Sequence, residues 1–297
     1  MCVPRFALAM VLAFALGCGN KPEPPQNNPA AKPDSYTIKL RDPEAGDKLE
    51  VTQSQSTTSE FYIVMTKATQ KKTIATRAQF TETILEKPAD ATQATKLTRH
   101  YQVAEVSESA GKPEVALRAV LGTWAVAQST WPTDFQGKTV TIAKNAPGAR
   151  PRYSYKTEDG KDVRLFDTVL FEHEGHFRIQ EVLPTSAVKV GEPWTVEPLG
   201  AFKLFANLGI ANPDPAASSV TGQLLKVYER DGQEWGDIRI TLKAKDSEGD
   251  GTGQIDVEAP IDGSSLARTQ RLTFSATLPK WDGSTKLSIT ETRKPLK

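Results

Sequence analysis

From Ser35 onward the chain alternates apolar and polar positions with a period of two. Tyr36, Ile38 and Leu40 alternate with polar neighbours, and Asp42-Pro43 and Gly46-Asp47 then mark a turn. In the Ser/Thr-rich run that follows, Phe61, Ile63 and Met65 share one face. Over 73–85, Ile74, Ala78, Phe80 and Ile84 alternate against Thr, Arg and Gln. Val115, Leu117, Ala119 and Leu121 repeat the pattern, and Tyr153 and Tyr155 do so more briefly. The C-terminal half is cleaner. Ile238, Ile240 and Leu242 oppose Arg239, Thr241 and Lys243, and Leu272, Phe274, Ala276 and Leu278 oppose Arg271, Thr273, Ser275 and Thr277. Such alternation predicts antiparallel strands with one face buried and one face wet. The frequent Thr on the wet face suits strands through β-branching.

Helical spacing is scarce. Phe166, Val169 and Leu170 predict a helix from about Asp162 to Glu174, ended by Gly175, and a shorter one is expected over 201–209. The expected class is therefore mainly β with one or two short helices. Two stretches also look alike at coarse grain. Gly46-Asp47-Lys48-Leu49-Glu50-Val51 resembles Gly191-Glu192-Pro193-Trp194-Thr195-Val196. Val103-Ala104-Glu105, Gly111 and Leu117/Ala119/Leu121 then resemble Val227-Tyr228-Glu229, Gly232 and Ile238/Ile240/Leu242. Read as a duplication, this divides the chain near Pro184 into two similar antiparallel β domains, 35–183 and 184–297, each a curved sheet or sandwich.

Ahead of the β region, Arg5 precedes an apolar run from Phe6 to Leu16 that stops at Gly17-Cys18. The run suits a secretory leader and falls short of the roughly 20 residues that span a bilayer. Ala15-Leu16-Gly17-Cys18 resembles the lipobox of bacterial lipoproteins, with Leu16 one place closer to the cysteine than in the usual order. The resemblance implies that 1–17 is a signal peptide and that Cys18 carries the lipid (palmitate among its chains). It further implies an exported protein anchored to the cell envelope. Gly19 is not the Asp of an inner-membrane retention signal, which favours the outer membrane where two membranes exist. The layout as a whole resembles two-β-domain envelope lipoproteins of bacteria whose function is unassigned.

Residues 18–34 hold five prolines and few apolar side chains, the composition of an extended, solvated tether. At ~3.1 Å per residue it reaches roughly 50 Å. Removing the leader takes Arg5 and leaves 36 basic against 36 acidic side chains. That balance argues against nucleic acid and against a polybasic membrane patch. Cys2 leaves with the leader and Cys18 goes to the lipid, so the exported part has no thiol for a disulfide, a nucleophile or a thiolate metal site.

The remaining chemistry is thin. His173 and His176, flanked by Glu172 and Glu174, would share a face on a helix, but the spacing is one residue short of His-Glu-x-x-His. Asp246-Ser247-Glu248-Gly249-Asp250-Gly251 begins like a calcium loop, yet Val257 stands where the closing Glu belongs, and a polar hairpin turn is expected. There is no Gly-x-Ser-x-Gly elbow to use His100, and Gly249, Gly251 and Gly253 precede a strand without a phosphate-binding Lys. Trp124 and Trp131 bracket a face but read first as core. No catalytic, cofactor or metal residues are therefore expected. The expected function is non-catalytic binding or scaffolding, with a protein or apolar ligand as partner. The alternatives are an envelope hydrolase with an unrecognised site and a lipid or lipoprotein carrier with an apolar concave sheet.

Overall fold

The computed structural model describes residues 33–296 apart from 64–66, 90, 92, 111–128, 147–152, 164–178, 209, 211, 248, 280 and 281. Cys18, Val115–Leu121, Trp124 and Glu172–His176 lie outside the described residues.

Among the described residues, twelve strands form one antiparallel sheet. In chain order they are β1 (Lys48–Ile63), β2 (Ala68–Glu86), β3 (Lys96–Ala110), β4 (Ser129–Pro132), β5 (Thr139–Lys144) and β6 (Tyr153–Thr157). The second half supplies β7 (Pro193–Thr195), β8 (Ser219–Arg230), β9 (Gln233–Lys245), β10 (Asp250–Pro260), β11 (Arg268–Leu278) and β12 (Gly283–Pro295). Across the sheet the order is β6-β5-β3-β2-β1-β12-β11-β10-β9-β8-β7, with β4 beside β3. The chain thus enters mid-sheet, steps outward to β6, reappears at the opposite edge as β7 and steps inward to β12. The expected halves do not interleave, but they share one sheet. The first and last strands join them from Leu49↔Pro295 to Phe61↔Gly283.

Two apolar clusters lie on the inner face, one built mainly from each half. In the first, Leu49, Val51, Phe80, Tyr101, Val140 and Ile142 are buried together; in the second, Leu224, Ile238, Ile240, Ile255 and Leu272 are. Tyr36 and Ile38 are buried as expected, but in the second cluster and outside any named strand. They are held by single bridges, Tyr36↔Val188 and Lys39↔Asp262.

The glycine turns that open the two halves are built alike. The Asp47 amide donates to the Glu44 carbonyl at 3.1 Å and the Glu192 amide to that of Lys189 at 3.1 Å, with φ of 94° at Gly46 and 85° at Gly191. A positive φ at the third residue marks a type II turn, which glycine adopts without steric cost. Gly46 then donates to Ile84 of β2 at 2.9 Å, and Gly191 to Leu224 of β8 at 2.8 Å. Directly after each acceptor the pairing slips by one residue, at Ile84/Glu86 and at Leu224/Lys226. The second block of the expected correspondence does not coincide: Val103 is in β3, the third strand of its half, whereas Val227 is in β8, the second of its own.

The shorter expected helix is α1 (Pro198–Asn207), which begins earlier than its pattern because Pro198 presets the first turn. Gly200 lets it approach the backbone of the 3₁₀ turn Ile179–Val182, since a Cβ there would strike the Glu181 carbonyl. The expected start of the longer helix is instead extended: Asp162 bridges Lys156, and Val163 donates to Tyr155. Its continuation lies outside the described residues.

Candidate functional site

Strand alternation sends the polar set to the outer face. Thr52 and Ser54 on β1, Arg271, Thr273 and Ser275 on β11, and Thr241 and Lys243 on β9 are exposed there. A trough of about 380 Å³ crosses this face, lined by Ser54, Ser56, Ala75, Arg77, Glu105, Ser107, Thr130 and Ser288. Its origin is a matter of register. Thr130 pairs with Ser107, Ser107 with Ala75, Ala75 with Ser56, and Ser56 with Ser288, so one row of small side chains runs across five strands. With neighbouring strands ~4.8 Å apart, such a row extends roughly 19 Å. Arg77 and Glu105 face each other across β2 and β3 on one bank, beside Ser54. Among the described residues, neither side chain is taken up by an ion pair or hydrogen bond. The trough therefore offers hydroxyls, one guanidinium and one carboxylate to an extended polar ligand.

Where β1 and β12 join the two halves, the inner face carries a buried charged cluster. Arg99 Nε donates to Glu82 Oε2 at 2.8 Å with both side chains almost wholly buried, and the Arg99 guanidinium lies over the Phe80 ring. Arg293 reaches Glu291 at 2.7 Å and Glu82 at 3.9 Å, and Arg268 reaches Glu291 at 3.6 Å. Burial works against the charges of Arg99 and Arg293. Tyr101 and then Glu82 outweigh it for Arg99, and Glu291 and then Glu82 outweigh it for Arg293, so both pKa values are raised. Arg268 is register partner to Arg293, and burial together with that like charge pushes it down to about 10 despite Glu291. Burial also raises the Tyr101 phenol. The cluster ties β2 and β3 of one half to β11 and β12 of the other. Its carboxylates are committed to arginines, which suits a structural seam.

Asp246 and Gly249 lie between the paired ends of β9 and β10, and the Gly249 amide donates to Asp246 Oδ1 at 2.9 Å. Glycines 251 and 253 serve packing, because a Cβ on either would crowd the Phe274 ring. His100 shares a hydrogen bond with Thr139 at 3.0 Å, and Trp131 packs partly buried against the first cluster. No group of three His, Cys, Asp or Glu among the described residues is placed to hold a metal, and no described helix is long and apolar enough to cross a membrane.

Alternation along one strand did not reveal the trough, because it arises from register between strands. The buried cluster had a readable signal: Glu82 falls between Phe80 and Ile84, and Arg99 between Leu97 and Tyr101, at inward positions. Comparison with protein-family models, with curated proteins and with solved structures finds no match for this chain.

Proposed function

We propose that this protein is a lipid-anchored, non-catalytic binding module of the cell envelope, held at the membrane through Cys18 and the Pro-rich tether. Its docking surface is the outer face of the sheet, and its partner is a protein presenting an extended polar segment to the trough. The observation that carries this reading is the row Thr130-Ser107-Ala75-Ser56-Ser288, with Arg77 and Glu105 beside it engaged by no side chain among the described residues. A carboxylate of the segment is matched to Arg77 and an amine to Glu105, while the hydroxyls serve its backbone amides. The apolar inner face of the second half is filled by the chain's own Tyr36, Ile38, Leu204 and Phe205. This favours the polar face over carriage of an apolar ligand.

The test is a photo-crosslinking residue placed at Ser288 in cells, compared with one at Thr241 on the same face. The expected result is a discrete adduct at 288 that Arg77→Glu abolishes and that 241 does not give. Equal labelling at both positions, or an adduct indifferent to Arg77→Glu, removes the trough from the account.

A further inference from the structure

We infer that the exposed side of α1 rests on the lipid bilayer, so that the folded body lies against the membrane instead of standing off it. Lys203 is the only charged residue of the helix. One side of α1 packs inward through Gly200, Leu204 and Phe205. The other presents Leu199 at 66% exposure, Phe202 at 52% and Ala206, which fall on one stripe of the helix. A helix apolar on both sides is a buried element by pattern, and here one side has no protein cover among the described residues.

The place where the tether enters the fold identifies the occupant. Tyr36 exchanges backbone hydrogen bonds with Val188 at 2.8 and 2.9 Å, and its side chain is buried in the same cluster as Val188, Val196, Leu204 and Phe205. Tyr36, close to the start of the folded unit, is therefore seated in the core that α1 covers. Val190, two residues beyond Val188, is a further exposed apolar residue. Lys203 pairs with Glu181 at 3.1 Å yet stays about half exposed, within reach of a lipid phosphate. Glu192 and Glu197 are exposed on the segment leading into the helix and hold the contact at headgroup depth. Attachment through the tether makes the contact intramolecular, so two large side chains suffice where they would not recruit a free protein.

This inference rests on lipidation of Cys18, and the experiment separates the two. Processed, lipidated full chain carrying Phe202→Cys has a single free thiol, which takes an environment-sensitive fluorophore. A second sample carries the label through Thr252→Cys on the exposed outer face. Both are reconstituted into phosphatidylcholine/phosphatidylglycerol vesicles containing spin-labelled lipid. The expected result is quenching at least about threefold stronger at 202 than at 252. Leu199→Asp in the 202-labelled chain, with an unchanged melting curve, is expected to bring the two together. Sedimentation with vesicles but equal quenching at both sites overturns the inference and keeps the anchor. Failure to sediment overturns both. A 202 signal that disappears on diluting protein in lipid means that a second copy covers α1, which also overturns it.

Discussion

Arg99 Nε and Glu82 Oε2 lie 2.8 Å apart with side-chain exposures of 3% and 2%. Removing one partner from such a pair strands the other charge in the interior, which costs about 3–5 kcal/mol, whereas replacing both with apolar residues is often neutral. Glu82→Ala is therefore expected to lower stability to urea by that amount. Glu82→Met combined with Arg99→Met is expected to recover most of the loss. A loss under about 1 kcal/mol for the single variant would show that water reaches the pair.

The paired turns give a second prediction. A Cβ added at Gly46 or at Gly191 meets nothing within 4 Å, so alanine there suffers only from the positive φ. Each substitution should cost about 1–2 kcal/mol, and the two costs should agree if the turns are equivalent. Gly222→Ala should cost more, because its Cβ would run into the Trp194 ring, whose Nε1 is held by the Val182 carbonyl at 3.1 Å. Urea midpoints of the three variants rank them, and a Gly222 variant milder than the turn variants contradicts this packing.

The legibility of these features follows from the distance over which each is specified. Leu272 and Phe274 announce β11 because alternation is local, and Gly46-Asp47 announces a turn because Gly46 adopts a positive φ. Tyr36 and Ile38 also alternate, and their burial was readable, but a lone bridge to Val188 leaves no pattern that distinguishes it from a strand. The union of the halves in one sheet depends on β1 meeting β12, a contact between the two ends of the fold that no window of sequence contains. The trough is harder still. Ala75 is unremarkable along β2, and acquires meaning only when register sets Ser107 and Ser56 on either side. Charged residues at inward positions were readable in principle, because Glu82 interrupts an apolar parity that Phe80 and Ile84 otherwise keep.

Tyr228 supplies a prediction for alkaline pH. Its hydroxyl donates to Glu258 Oε1 at 2.7 Å, and burial first, then that hydrogen bond, raise its pKa above the usual value near 10. A raised pKa means that the folded state holds the proton more tightly. The contribution is fully present below the unfolded value and fades as pH climbs from about 10 toward the folded one. The urea midpoint of the wild type is expected to fall between about pH 9 and 11, and that of Tyr228→Phe to fall less. Parallel curves for the two proteins would mean that the phenol plays no part.

Cys18 governs location in the proposed function. The run from Phe6 to Leu16 is shorter than a helix that spans a bilayer, so the proposal requires cleavage and acylation at Cys18. Each acyl CH₂ placed in the bilayer contributes about 0.8 kcal/mol, and one chain alone binds only marginally, whereas two or more give a stable anchor. Wild type expressed in a bacterial host is therefore expected to pellet with membranes and to take up labelled palmitate. Cys18→Ala is expected to lose the label and to accumulate as the uncleaved precursor, because processing at a lipobox needs the modified cysteine. If the variant is cleaved normally while the wild type stays free and unlabelled, the run is an ordinary secretory leader. The outer face then works away from the membrane.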